Sequence, residues 1–355
     1  MPNLANGWAG LVRFGGIGDN LIAVSPAAAL KKKGLMVEMI TADPAWQVFE
    51  HNPNIDKLSV KSKKEIPTEM LGWQQWHDGR ADEYEIFANL HHSVEHLFAY
   101  PPASTPFYYP ANVRRRLAHK SYLEHAHDLA QVPYEFGPLF YPSAEEDEQA
   151  VTTKKHIGEI CIGWCLSGTR IDKLHPYSPG IIARLLKELD VPVVMIGGMG
   201  RNFVDAKAIL EHVEKTNSTH RGLHLALSRS EDDQNWPIRR SLTQALHCDL
   251  MIGPDTGLMW GVAMEPMPKI MMLGHASEEN ITKHWVNTTT LHADPMRVPC
   301  WPCHRLHDSP ATCTPNSDNS GAACMTDIDI EMIVATARRA LERKTNPHQL
   351  LLAAE

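Results

Sequence analysis

Residues 8–14 form a short apolar run that stops at glycines, which reads as a strand entering the turn Gly15-Gly16-Ile17-Gly18-Asp19-Asn20. Leu21, Ile22, Val24, Ala28, Ala29 and Leu30 then recur on one face, predicting a helix over 21–33. Residues 35–40 and 85–90 read as further strands, the second leading into His91-His92-Ser93. Residues 100–112, rich in Pro, Tyr and Ser/Thr, read as loop, and 114–130 as helix. Residues 137–155 hold Pro138, Pro142 and an acidic run at 145–148, and read as a linker between two halves; a solvated surface loop would look the same.

The alternation restarts beyond that segment. Residues 159–165 predict a strand, and a helix follows to about 189, with Ser178 as its cap and Pro179 in its first position. Strands are expected at 192–196, 249–252 and 269–273, and helices at 238–247, 257–264 and 329–344. Strands alternating with helices imply parallel sheets, here in two doubly wound α/β halves facing a cleft. Ligands of such sheets sit beyond the carboxyl ends of the strands, so the informative loops are 15–20, 166–175, 197–201 and 253–257. The expected division is 1–145, 155–328 and a closing helical segment at 329–355.

Composition narrows the class. The chain has 355 residues, 43% of them hydrophobic, enough for two ordinary cores. Its net charge of −8 argues against a general nucleic-acid coat. No apolar run reaches the roughly 18 residues of a membrane span, and the first residues lack a secretory pattern, so a cytoplasmic protein is expected.

The chemistry concentrates in a few loops. Gly16-Ile17-Gly18 begins like a dinucleotide fingerprint, but Leu21 stands where the third glycine belongs. What remains is a glycine turn with Asp19 at the mouth of a helix. Capping that helix is the simpler role for Asp19; a carboxylate at such a switch also suits a general base. Gly253-Pro254-Asp255-Thr256-Gly257 leaves a strand and opens a helix, whose free N–H groups suit phosphate. Thr256 adds a hydroxyl, Gly257 allows close approach, and Asp255 should face neutral sugar hydroxyls. Residues 166–173 combine Ser167, Gly168 and Thr169 with Arg170 and Lys173, a composition that suits an anion or, equally, a solvated basic loop. His91 and His92, with His96, and the basic run Arg114-Arg115-Arg116 are candidates for ligand or acceptor contact, although solvated surface explains either as simply.

Four of the seven cysteines fall at Cys300, Cys303, Cys313 and Cys324, with Pro299 and Pro302 punctuating the CxxC turn. In a reducing compartment this reads as tetrahedral Zn or a rubredoxin-like Fe. Four thiolates leave no open position, so the expected role is structural. Cys161, Cys165 and Cys248 sit in apolar segments and read as core thiols.

Taken together, four segments resemble glycosyltransferase family 9, the ADP-heptose heptosyltransferases of lipopolysaccharide assembly and their relatives. They are VRFGGIGDNLIAVSPAAALKKKG at 12–34, the strand and lysine-bearing loop at 161–177, the apolar strand ending Gly197-Gly198, and IGPDTGLMWGVAMEPMPKIMMLG at 252–274. The cysteine segment ending Cys324-Met325-Thr326-Asp327-Ile328 is similar to the metal finger of the autotransporter heptosyltransferases, which glycosylate protein and are oligomeric. The resemblance implies two Rossmann-like domains in the GT-B arrangement and inverting transfer from a nucleotide diphosphate sugar, ADP-heptose or another, to a glycan or protein hydroxyl. It maps the general base onto Asp19. Donor-phosphate contacts map onto Thr169, Thr256, Gly257 and Lys173, the last acting on the leaving group, and the sugar carboxylate maps onto Asp255. Ser167, Gly197 and Gly198 fall on the donor side; Gly16, Gly18, His91, His92, Arg114 and Arg115 fall on the acceptor side. It implies a structural Fe or Zn, no catalytic metal, and a homo-oligomer. Trp260 stands where the family usually has His, and the loop at 167–173 lacks the common Lys-Arg-Trp ending. A catalytically inactive binding protein of this fold and a nucleotide-sugar epimerase are the alternative readings.

Overall fold

The computed structural model describes residues 7–95, 97–166, 168, 170–197, 201–216, 222–227, 237–307, 313 and 321–345. Two parallel sheets organise them. The first holds β1 (Trp8–Val12), β2 (Met36–Ala42), β3 (Lys57–Lys61) and β4 (Ile86–Asn89) in the order β3-β2-β1-β4. The second holds β5 (Ile162–Cys165), β6 (Val193–Gly197), β7 (Leu223–Leu227), β8 (Leu250–Pro254), β9 (Lys269–Leu273) and β10 (Thr288–His292) in the order β10-β9-β8-β5-β6-β7. Strands β5, β6, β8 and β9 are buried along their whole length, as strands covered by helices on both faces must be. This is the doubly wound α/β class.

The strand order reverses at two places. β1 lies between β2 and β4, with Val12 opposite both Ile40 and Asn89. β5 lies between β6 and β8, with Trp164 opposite Met195 and Ile252. Loops leaving neighbouring strands at such a point diverge to opposite faces and leave a crevice at the carboxyl ends. One crevice is framed by the segments after β1 and β4, the other by those after β5 and β8.

Several elements depart from the sequence reading. The helix expected over 21–33 is two, Ile17–Val24 and Ala27–Lys32, because Pro26 has no N–H to continue the first. The helix expected over 114–130 is also two, Ala111–Leu117 and Tyr122–Leu129. Residues 144–157 form a helix rather than a loop, started by a capping box in which Ser143 and Glu146 bond each other's backbone N–H. Ser178 is the first helical residue, not the cap, and its hydroxyl donates to the His175 carbonyl. Strands β3, β7 and β10 and helices Met70–Ala81 and Arg201–Thr216 were not expected.

The halves are fastened to each other. Buried side chains run without a break from Leu21 and Leu30 of the first to Leu242, Trp260 and Met271 of the second. Asn280, fully buried, donates to the carbonyls of Ala118 and Lys120 at 2.5 and 2.9 Å, which explains the helix break at that point. Arg239, in helix Ile238–Leu246, donates to the carbonyls of Gln47, Glu50 and Tyr141 and pairs with Glu146. No helix among the described residues is long and apolar enough to cross a membrane.

Candidate functional site

The two crevices face each other and share one cavity of about 390 Å³. Its first wall comes from the segments after β1 and β4. Arg13 follows β1, is fully buried, and grips Glu95 with both terminal nitrogens, at 2.6 and 3.0 Å. The same guanidinium reaches Asp19 at 3.0 Å. Burial pushes the Asp19 carboxyl above its ordinary range; Arg13 opposes that and Glu95 reinforces it. Asp19 is therefore a carboxylate of raised basicity facing the cavity. The glycine turn is bent around it: a Cβ on Gly16 would stand 3.0 Å from Asp19 Oδ2. Buried Asn20 holds the turn, donating to the Gly16 carbonyl at 2.8 Å and accepting from Thr41.

The second wall comes from the segments after β5 and β8. Lys173 donates to Asp255 Oδ2 at 2.9 Å, and the Trp260 indole donates to Oδ1 at 2.8 Å. Burial pushes the Asp255 carboxyl up, but Lys173, His275 and Trp260 together outweigh it and hold the group below its ordinary value. Trp260 thus supplies a ring N–H at the position where the resembling family usually has His. Arg170 pairs with Asp172, which also takes His275 Nδ1 at 2.9 Å. Despite the cost of burial, bonds from His275 and the charge of Arg170 hold Asp172 far below the usual carboxylate range. The Asp172 carbonyl lies where a Cβ on Gly274 would sit, 2.1 Å away, so only glycine lets this loop dock.

Asp19, Lys173, Asp255, Thr256, Gly16, Gly18 and Gly257 therefore meet around one space. Two of the glycines have a further duty. A Cβ on Gly257 would meet Ile17 Cγ2 at 2.8 Å and Gly18 N at 3.0 Å, and one on Gly18 would meet Trp260 and Gly257. They line the cavity and also allow the two halves to approach closely.

Other expected site residues lie elsewhere. Arg114 is buried, and its guanidinium donates to the carbonyls of Cys303 and Tyr109. Arg115 donates to the carbonyls of Pro299, Trp301 and Pro302. These two arginines clamp the cysteine-bearing loop of the other half and do not line the cavity. His91 stacks on Trp73 at 4.4 Å and packs against His92 and Phe14, beside the cleft. Gly197 ends β6 opposite Leu227, away from the cavity lining. Ser167, Thr169 and Gly198 lie outside the described residues, as does His96. Glu95, Arg13, Tyr122 and His275 were missed because nothing in the local sequence marks them; only the packing of the two halves brings them in.

Cys300, Cys303, Cys313 and Cys324 line a second, small cavity together with Asp172, His275 and His307. All four are free thiols. Cys303 Sγ stands 3.6 Å from His307 Nε2. Burial pushes the Cys303 thiol up to about 12 and the Cys324 thiol well above its ordinary value. No three His, Cys, Asp or Glu side chains among the described residues form a group that could hold an ion. The four thiols thus share a cavity without converging, and the chain on either side of Cys313 lies outside the described residues. A larger cavity of about 780 Å³ opens at the other end of the second sheet, between Lys269 and Arg343, away from the loops of the cleft.

No family model and no curated protein matches the sequence. Solved structures do match in fold. A glycosyltransferase family 9 protein from Veillonella parvula DSM 2008 superposes with TM-score 0.64 at 15% identity, over 96% of this chain and 99% of that one. E. coli ADP-heptose lipopolysaccharide heptosyltransferase II gives 0.59 at 13% identity, over 95% and 99%. E. coli heptosyltransferase WaaC with ADP gives 0.53 at 12% identity, over 94% and 99%. Near end-to-end coverage of both chains makes the likeness one of the whole architecture. The chain therefore carries the GT-B fold of the glycosyltransferase family 9 structures, two Rossmann-like domains across a cleft.

Proposed function

We propose that this chain is an inverting glycosyltransferase that moves a heptose from ADP-heptose to an acceptor hydroxyl on a glycan or protein. The observation that carries the reading is the pairing of walls across one cavity: a carboxylate of raised basicity, Asp19, faces Lys173, Asp255 and Thr256. An acceptor oxygen attacks the anomeric carbon and gives its proton to Asp19. The bond from that carbon to the diphosphate oxygen breaks, and its electron pair leaves with the nucleotide. Lys173, beside Arg170 and the Thr256 hydroxyl, faces the negative charge as it builds. Asp255, already holding Lys173 and Trp260, accepts from sugar hydroxyls. The family-9 fold of the solved neighbours, which include an ADP complex, supports this choice of donor.

Removing a general base typically costs about 10²–10⁴-fold in rate. Asp19→Asn should lose transfer on that scale, read by release of ADP from ADP-heptose, with ADP affinity retained. Full activity in that variant would overturn the assignment of Asp19.

The same reading includes a structural Fe or Zn held by Cys300, Cys303, Cys313 and Cys324. What supports it is the chemistry of the donor set, four free thiols that line one small cavity, although they do not converge on a point there. Those four residues would hold the metal, and it would tie the loop that Arg114 and Arg115 clamp. Metal analysis of protein purified without chelators should find one Fe or Zn per chain, lost in Cys303→Ser; no stoichiometric metal ends the idea.

A further inference from the structure

Tyr122 opens helix Tyr122–Leu129 and is fixed from several sides. Its N–H donates to the Asn280 carbonyl of the other half at 2.9 Å, and Ser121 caps the helix it starts. Its ring packs on Phe98, centroids 5.0 Å apart, and lies nearly parallel to Trp260 at 6.3 Å. The residue is 3% exposed, yet it lines the shared cavity, and its hydroxyl has no hydrogen-bond partner among the described residues. Buried hydroxyls without partners are rare, because each forfeits its bonds to water. One that borders a cavity in a rigid setting is suited to a ligand that completes it.

The surrounding charge says which ligand group that is. Asp255, Asp19 and Glu95 are acids that act on this phenol, opposed by Arg170. Carboxylates accept from neutral hydroxyls and give a phosphate no donor. Lys173 and Thr256, the groups suited to phosphate, line the same cavity. Resting on the transferase reading above, we propose that the Tyr122 hydroxyl binds a hydroxyl group of the donor's sugar and so distinguishes the intact sugar nucleotide from the free nucleotide.

Tyr122→Phe removes one oxygen and keeps the ring contacts. The probes are ADP-heptose and ADP, titrated calorimetrically against the full chain, with a thermal melt of each protein. Affinity for ADP-heptose should fall about 10- to 100-fold, that for ADP should hold, and the melting temperature should stay level or rise, since the lost oxygen had no partner. Unchanged ADP-heptose affinity overturns the proposal. So does a lowered melting temperature, which would reveal an internal partner, and so does an equal loss for ADP, which would place the hydroxyl on the phosphates. If wild-type protein binds no nucleotide sugar from a panel of ADP and UDP sugars, the transferase reading falls and takes this proposal with it. That failure shows in the wild-type titration, not in the variant.

Discussion

Trp260→Phe tests how the second wall of the cleft is held. The indole N–H is 2.8 Å from Asp255 Oδ1, Lys173 occupies the other oxygen at 2.9 Å, and Asp255 is only 8% exposed. Phenylalanine keeps a ring against Tyr122 and Trp285 but leaves Oδ1 without its donor. Losing a hydrogen bond to a buried charge costs about 1.5–3 kcal/mol. The missing part of the bicyclic ring adds about 1 kcal/mol of packing, giving about 2.5–4 kcal/mol at pH 7. The pH dependence has a definite sign. Asp255 is held below its ordinary value, so its contribution is present above the unfolded pKa of about 3.9 and is lost as pH falls through the folded one. In the variant the folded value rises and that contribution shrinks. The gap between wild type and variant should be full at pH 7 and should narrow below about pH 4 toward the packing part alone. Urea unfolding at about pH 7, 4 and 3, conditions on both sides of that value, reads this directly, and Trp260→His should recover part of the loss by restoring a ring N–H. A gap under about 1 kcal/mol at pH 7, or one that grows on acidification, would refute the reasoning.

Two further outcomes follow from the same cleft. Lys173→Ala should weaken ADP binding and slow turnover, whereas Asp255→Ala should free the Lys173 ammonium, spare ADP binding and weaken the intact sugar nucleotide; equal losses in the ADP titrations would mean that sugar and phosphates are misplaced. Gly257→Ala forces a Cβ to within 2.8 Å of Ile17 Cγ2, so calorimetry should show overpacking of about 1–3 kcal/mol and a lower melting temperature, while an unchanged one would show that the halves separate freely.

Much of the candidate site was legible in the sequence because its loops carry their own marks. A strand that stops at glycines and a carboxylate opening a helix placed Asp19. Asp255-Thr256-Gly257 between a strand and a helix placed the second wall, and Lys173 came with its loop. What misled was reading each mark for a ligand alone. Arg114 and Arg115 look like an anion patch along the chain, yet their guanidiniums are taken up by carbonyls some 184–189 residues away. Gly18 and Gly257 read as room for a ligand, and they are also the places where two helix starts touch.

The sequence by itself determined the strands covered on both faces, because a buried parallel strand is a continuous apolar run that no distant contact must complete. It also determined the switch loops, whose glycines and caps act within a few residues. The missed elements have weaker local marks: β3 is flanked by lysines, and helix Met70–Ala81 carries a polar surface broken mainly by Trp73 and Trp76. Tertiary structure alone decided that Glu95 shares Arg13 with Asp19, that the Trp260 indole donates to Asp255, and that Tyr122 lines the cleft with a hydroxyl unpartnered among the described residues. Each depends on a hydrogen bond or a burial set by a partner from a different segment, and no local periodicity encodes which partner arrives.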